Sequence, residues 1–489
     1  MKKRQRTNIL TPLFSIAFLL AFSTIVFQLI APPEPIKTII KKSVGSFIPS
    51  EQYTQYTINT EPVIAARLTS TFYGNREFAP AWFDDNNKLS EEARKLILII
   101  NKADEEGLIA DDYHTTIINT LAAKTDRSFR KPPNRLCADL DQLLTDAFFI
   151  YAAHLYYGKV DAETISNKWR DELIEIDFAD HLNQVIAAGG VEKYISNLAP
   201  KHHGYRLLKQ TLRLHRQRFK LTNDPSIKDK IKKIEVNMER FRWLPQYAGR
   251  KFILVDIAHF VLDMIDNNEV VLSSKVIVGK NYRSTPVFNN KITHIVFNPY
   301  WNIPHNIADW DILPVVIRNR DYLNMRHITV FQDINRTIPL DPQTINWNKF
   351  KPGSFPYFFR QDPGKDNVLG KIKFMFPNKY NVYLHDTPDK ELFDEPTRNF
   401  SSGCIRVEKP RELAGYLLKD DPAWPAGKIN AVLSGNKETQ ILLKEPVDIY
   451  LAYWTCWVDS AGFVTYVEDI YNRDDRVFAA LKGKINNAQ

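Results

Sequence analysis

A chain of 489 residues, 44% hydrophobic and 25% charged, has an ordinary globular composition and exceeds what one hydrophobic core usually serves, so two or three domains are expected. Its net charge of +8 sits mainly at the start, where Lys2, Lys3, Arg4, Arg6, Lys37, Lys41 and Lys42 stand against Glu34. With no concentrated basic stripe in the rest of the chain, the composition argues against a nucleic-acid partner.

Taken in order, the basic tail precedes Ile9–Ile30, a stretch apolar apart from scattered Thr and Ser, Pro12 and Gln28. At helical rise it covers the ~30 Å of a bilayer's hydrocarbon core. A cleaved signal peptide is the alternative, but Ile30-Ala31-Pro32-Pro33-Glu34 is a poor cleavage site. Residues 1–32 are therefore expected to be a cytoplasmic tail and one transmembrane signal anchor, with the rest exported. Residues 33–75, with Ala31-Pro32-Pro33-Glu34-Pro35 and the polar run Ser50–Thr60, read as a linker.

Residues 76–200 read as a helical scaffold. Ser90-Glu91-Glu92 is an N-cap with an acidic first turn, and Leu140, Leu143, Leu144, Ala147, Phe148 and Tyr151 follow a buried helix face that Gly158 closes. Phe178–Leu198 and Tyr205–Leu221 are further predicted helices, the first broken at Gly189-Gly190. Residues 201–242 form a helical connector. Its alternating charges over Lys228–Arg242 read as a solvated helix face, and His202-His203 as a solvated turn with no ligand partner at metal spacing.

From Trp243 the texture changes to β-branched and aromatic runs with turn residues between them, which argues a sheet-dominated domain over residues 243–475 and an α+β chain overall. Lys251–Met264 reads as one strand, paired across the turn Asp266-Asn267-Asn268 with Val270–Val278. Pro304–Lys351 breaks the strand rhythm and is a candidate insertion placed where a lid would sit. Three cysteines, 137, 404 and 456, are compatible with a Cys137–Cys456 disulfide and equally with three separate thiols.

The chemistry-bearing stretch is Tyr383-Leu384-His385-Asp386-Thr387-Pro388 with Phe400-Ser401-Ser402-Gly403-Cys404-Ile405-Arg406. A thiol needs a base or cation nearby to act as a nucleophile at neutral pH. His385 supplies the base at the end of a predicted strand, Arg406 a cation, and Gly403 room for close approach. A buried structural cysteine is the bland reading, which the Ser-Ser-Gly loop makes the weaker one. One Cys and one His make half a zinc site, and neither C-x-x-C nor H-x-x-x-H spacing completes it; phosphate loops and hydrolase elbows are also missing. No metal and no cofactor are expected.

These motifs resemble the signature of the L,D-transpeptidases, which have a YkuD-type catalytic domain. Val236–Pro245, Asn298–Pro304, Arg360–Gly364, Asn367–Gly370 and Lys373–Asn378 extend the likeness to a large, membrane-anchored Gram-negative subclass, and Gly107–His114 and Gly158–Asp161 are similar to that subclass's scaffold domain. The resemblance implies that Cys404 attacks the third residue of a peptidoglycan stem tetrapeptide and that His385 takes the thiol proton. Backbone N–H groups around Gly403 would hold the oxyanion, and Ser402 would orient His385. Arg406 would hold the loop or a substrate carboxylate, while Tyr383 and Trp301 would wall a groove, a core role being equally open for both. A second stem peptide's amine would then give a 3→3 cross-link. The partners implied are the tetrapeptide donor, the amine acceptor and the inner membrane, with β-lactams of carbapenem type as covalent inhibitors and the periplasmic side of that membrane as the location. Hydrolysis of the same acyl-enzyme, or a silent wall-tethering role, are the alternatives. Arg206–Met238 is short and basic and lacks a Gly-Asp-Gly-type repeat, so the subclass's peptidoglycan-binding module is expected to be missing or reduced.

Overall fold

The helical half is built around one long helix, Asn134–Tyr157, which starts after Pro133 and stops at Gly158, where φ is +90°. It is buried almost all round, and helices Ile36–Gly45, Ala66–Asn75, Glu91–Asn101, Thr115–Asp126 and Val191–Leu198 pack about it. Buried carboxylates on this helix pin the surrounding loops. Asp141 accepts the Ala81 and Trp82 N–H groups and the Tyr73 hydroxyl at 2.6 Å, and Asp146 accepts the N–H groups of Ile64 and Ala65. Each bond satisfies a polar group that burial would otherwise leave costly.

The computed structural model describes residues 34–45, 56–127, 131–162, 176–244, 250–459 and 461–483. Two expectations about the start of the chain are corrected. Among the described residues no helix is long and apolar enough to cross a membrane, so the single-pass anchor and the address inferred from it lack support; Ile9–Ile30 itself lies outside the described residues. The linker assigned to 33–75 contains two helices, Ile36–Gly45 and Ala66–Asn75. Ile36, Ile39, Ile40 and Val44 make a helical stripe that is buried in the core, a better use of those side chains than a solvated tether.

Helices His203–Thr222 and Pro225–Arg242 form a hairpin that turns at Asn223, with Asp224 capping the second helix. The solvated face expected over Lys228–Arg242 holds only at its start, where Lys228, Asp229 and Lys230 are exposed, and is corrected over Ile234–Arg242, which is buried throughout. Tyr205, Leu208, Leu212, Ile234, Met238 and Phe241 meet Phe252, Leu254, Tyr450 and Trp454 in a separate core. His203 is exposed, whereas His202 is half-buried beside Phe241 and Trp454.

The second half is a closed eight-stranded barrel. Its strands are β3 (Lys251–Asp256), β4 (Val261–Asp266), β5 (Glu269–Ile277), β6 (Phe288–Phe297), β11 (Ile372–Met375), β12 (Leu384–His385), β13 (Ile405–Val407) and β14 (Thr439–Ala452); β1 (Thr57–Ile58) and β2 (Glu61–Pro62) form a small ladder in the helical half. Round the barrel the order is β11-β12-β13-β5-β4-β3-β14-β6. On β3 the side chains alternate, Ile253 and Val255 going to one core and Phe252 and Leu254 to the helical hairpin, as the period of two requires. The single strand expected over Lys251–Met264 is two, because Asp256 accepts the Ala258 N–H and Phe260 takes φ +57°, which turns the chain.

Between β6 and β11 the chain leaves the barrel. β7 (Trp301–Asn302), β8 (Ile328–Phe331), β9 (Pro339–Leu340) and β10 (Phe358–Gln361) make a four-stranded sheet, ordered β7-β10-β8-β9, with short helical segments between β7 and β8, from His305 to Met325. This excursion is wider than the expected 304–351, since β10 returns to pair with β7 at Trp301 and Asn302. Helix Asp474–Lys482 then packs back on Pro225–Arg242, and Lys159 Nζ donates to the Leu481 and Gly483 carbonyls at 2.7 and 2.8 Å.

Candidate active site

Two short strands position the proposed nucleophile and base. β12 pairs antiparallel with β11, setting His385 opposite Lys373, and parallel with β13, setting Leu384 beside Ile405 and His385 beside Arg406. Cys404, one residue before Ile405, therefore lies alongside Tyr383, one residue before Leu384. No hydrogen bond joins Cys404 to His385 among the described residues; the Cys404 thiol lies 3.7 Å from the Asn381 carbonyl oxygen.

The loop carrying Cys404 is held by its own serine and by the end of β5. Ser401 Oγ accepts the Gly403 N–H at 3.1 Å and donates to the Cys404 carbonyl at 2.5 Å. Gly403 sits at φ +114°, a conformation other residues rarely adopt, and its carbonyl accepts from Thr285 Oγ1 at 2.9 Å. Tyr471, from the C-terminal segment, donates through its hydroxyl to the Gly279 carbonyl at 2.6 Å, fixing the residue whose N–H meets Thr285. The thiol so held is half-buried.

His385 is buried, and its Nδ1 meets the carbonyl oxygen of Asp386 at 2.5 Å. A carbonyl only accepts, so Nδ1 carries the proton and Nε2 is the basic nitrogen. Burial first, and the Arg406 charge second, push the imidazole down to about 3, so it is neutral at neutral pH. Burial raises the Cys404 thiol, against the Tyr383 hydrogen bonds and the Lys373 and Arg406 charges, which pull it down. The resting pair is thus a neutral thiol and a neutral imidazole, with the proton still to be moved.

The expected role of Ser402 is corrected by this geometry. Its hydroxyl is exposed and accepts from Arg283 Nη1 at 3.0 Å, and the Asp386 main-chain oxygen orients His385 instead. The Gly403 N–H is likewise committed to Ser401, whereas the Cys404 N–H has no acceptor among the described residues. Arg406 is half-buried and pairs with Asp389 at 2.9 Å, tying β13 to the turn after β12. Tyr383 and Trp301 are both buried; the Tyr383 hydroxyl faces the Cys404 sulfur on one side and the Trp301 indole on the other, so the excursion's first strand reaches the site. Tyr383 and His385 pack edge to face at 5.7 Å.

Other residues at the site were not singled out from sequence. Arg283 bridges Ser402 to Asp311 on the excursion, Thr285 and Ser401 shape the loop, and Lys373 lies 3.9 Å over the Tyr383 ring. Only Lys373 carried a signal, as a cation inside the stretch 373–378. Among the described residues no group of three or more His, Cys, Asp and Glu is placed to hold a metal, and Cys137 and Cys456 are buried free thiols.

A thiol and a neutral imidazole on adjacent strands of a barrel, with the other ring nitrogen fixed by the main chain, form a site suited to covalent chemistry at sulfur. Comparison with known proteins narrows this. Residues 250–428 match the family model of the L,D-transpeptidase catalytic domain, and residues 67–212 match that of the Scaffold domain. The chain is also 29% identical over 419 residues to a protein of Haemophilus influenzae described as "Putative L,D-transpeptidase", across 84% of this chain and 78% of that one. The chain therefore carries a YkuD-type L,D-transpeptidase catalytic domain preceded by a Scaffold domain, and residues 213–249 between them hold the Pro225–Arg242 helix.

Proposed function

We propose that this protein is a peptidoglycan L,D-transpeptidase that forms 3→3 cross-links between stem peptides through a thioester on Cys404. The observation that supports the reading is the pairing of β12 with β13, which sets Cys404 alongside Tyr383, two residues before a neutral His385 whose Nε2 is left basic, inside a domain matched to the L,D-transpeptidases. His385 Nε2 takes the Cys404 proton as sulfur attacks the carbonyl of the third stem residue. The tetrahedral oxyanion accepts from the Cys404 N–H, a donor of a kind typically worth ~3 kcal/mol. Collapse expels the terminal D-alanine, whose amine takes the proton from His385, and leaves the thioester. The side-chain amine of a second stem peptide then attacks that thioester, gives its proton to His385, and regenerates the thiol. Ser401 and Thr285 hold the loop in place through these steps, and Arg406 holds the turn through Asp389.

The test is intact-protein mass spectrometry with a carbapenem, together with turnover of a tetrapeptide donor with and without an amine acceptor. A covalent adduct on Cys404 and a cross-linked dimer support the reading. Tripeptide without dimer would point to hydrolysis of the acyl-enzyme, and full turnover by Cys404→Ala would leave only a tethering role.

A further inference from the structure

Among the described residues, no carboxylate forms an ion pair with the Lys373 ammonium. The residue is half-buried in the middle of β11, and among the described residues its ammonium makes no hydrogen bond either. Its neighbour of opposite sign, Glu438, is engaged by the Tyr300 N–H at 2.8 Å. An ammonium group in that position normally finds a carboxylate or reaches solvent. Here it lies 3.9 Å over the Tyr383 ring, whose hydroxyl faces the Cys404 sulfur. The register makes this placement deliberate, because the β11–β12 ladder puts Lys373 directly opposite His385 and on its face of the sheet.

We propose that Lys373 is a positioning residue for the nucleophile: held against the Tyr383 face, it supplies the positive field, and keeps the phenol proton directed, that the Cys404 sulfur needs as it loses its proton to His385. The inference rests on Cys404 being the nucleophile. A neutral His385 offers the sulfur no standing imidazolium, so the negative charge that forms on proton transfer must be met by other groups. Those that face Cys404 are Tyr383, Lys373 and Arg406. Arg406 is already neutralised by Asp389, and Tyr383 offers a proton but no charge, which leaves Lys373 as the net positive group. Lys373 in turn faces His385, His294 on β6 and Glu438, besides the sulfur. Burial lowers its own proton affinity, and the Cys404 sulfur acts the other way, which is the reciprocal of its effect on the thiol. Lys373 neither gains nor loses a proton in the cycle.

The experiment is the pH dependence of Cys404 alkylation by iodoacetamide in the full chain, read by mass spectrometry of the Cys404 peptide, for the wild type, Lys373→Met, Lys373→Gln and Lys373→Arg. Loss of the cation should move the alkylation midpoint up by about one pH unit, so that below it the rate falls about tenfold, and Lys373→Arg should restore most of it. Circular dichroism and a melting curve establish that each variant is folded. Lys373→Gln, with much of the same stem, replaces Lys373→Met if the apolar end disturbs the wall. An unchanged midpoint in a folded Met or Gln variant overturns the proposal, and so does tetrapeptide turnover in which these variants lose only in KM, which would show that Lys373 reads a substrate carboxylate instead. Full acyl transfer by Cys404→Ala would sink the nucleophile itself, an outcome distinct from an unshifted midpoint.

Discussion

His385 and Asp386 are consecutive residues, and the ring of the first meets the carbonyl oxygen of the second at 2.5 Å through Nδ1. The group that orients the proposed base is thus main chain, and it is fixed by whatever fixes the Asp386 peptide. The Asp386 carboxylate does much of this, accepting the Lys371 N–H at 2.8 Å and the Lys390 ammonium at 2.6 Å.

Gly370 leaves the space that this arrangement occupies. It sits at φ +60°, and a Cβ added there would lie 2.4 Å from the Asp386 carboxyl carbon and one of its oxygens. Gly370→Ala must move Asp386, and with it the carbonyl that aims His385. Acyl transfer should fall between about tenfold and a hundredfold, because misplacement of a reacting group by ~1 Å has costs of that order. Melting should drop by only a few degrees, about what ~1 kcal/mol of backbone strain produces. Unchanged turnover would show that the Asp386 carbonyl does not set the geometry of the base.

Arg283 connects the excursion to the nucleophile loop, bonding Asp311 at 2.5 Å and Ser402 at 3.0 Å from one nitrogen. The pair is partly exposed, at 20% for Arg283 and 46% for Asp311, so its worth to stability is at most about 1 kcal/mol. Its effect should appear instead in how the thioester is resolved. Arg283→Ala frees the excursion from the loop and lets water compete with the amine, so the ratio of hydrolysed tripeptide to dimer should rise by about threefold or more, the order of a ~1 kcal/mol interaction. Product ratios from one tetrapeptide incubation decide it, and an unaltered ratio would remove the excursion from the partition of the acyl-enzyme.

Some of this molecule could be read from the chain alone. The helix Asn134–Tyr157 carries a long apolar stripe and a glycine stop, and the break at Gly189-Gly190 separates two helices as expected. Cys404 and His385 stood out because few residue types do their chemistry. The rest was hidden for particular reasons. The turn Ile257–Phe260 holds no Gly, Pro or Asn and begins and ends on strand formers, with Asp256 closing it through its carboxylate. Main-chain oxygens carry no residue signature, so the motif points to Ser402, through its backbone or hydroxyl, for the contact that the Asp386 carbonyl makes. Lys373 on a four-residue strand reads as solvent-facing until the register with His385 is known. The charges near Arg242 read as surface because a buried network and a solvated stripe look alike in sequence.

That network predicts a large cost. Arg242 and Glu239 pair at 2.6 Å with both side chains fully buried, and Arg242 also donates to the Tyr205 oxygen at 2.9 Å. Glu239 accepts the Val160 N–H at 2.6 Å, and Tyr205 donates to Glu106 at 2.6 Å, so the cluster joins the helical half to the hairpin that covers the barrel. Arg242→Met strands Glu239 in the core and should cost about 3–5 kcal/mol in urea denaturation. Arg242→Met with Glu239→Leu should recover much of that loss, because the uncompensated charge goes too. A single variant that loses less than ~1 kcal/mol would mean that the cluster is solvated in solution.

Acid should weaken both halves, most strongly through one deeply depressed histidine in each. His154, beside Tyr113 in the helical half, is pushed down to about 3 by burial and then by the Lys159 and Arg242 charges, and His385 in the barrel is pushed down to about 3 by burial and Arg406. An unfolded histidine titrates near ~6.5. Above that value both states are neutral and stability does not depend on pH through these groups. Between about 6.5 and 3 the unfolded chain takes up a proton that the folded chain refuses, so stability falls as pH falls, by about 2 kcal/mol for each imidazole on reaching about pH 5. His114 acts oppositely: burial draws it down, but Asp146 at 2.8 Å and Glu61 outweigh burial and raise it, so its pairing is present at low pH and lost as pH rises through its folded value. Urea denaturation at pH 7 and about pH 5, followed by a probe in each half, measures the difference. His154→Leu should shrink the acid loss of the helical half by about 2 kcal/mol and leave that of the barrel in place. Equal acid sensitivity in wild type and variant would mean that His154 is protonated in the fold, against the burial that the structure gives it.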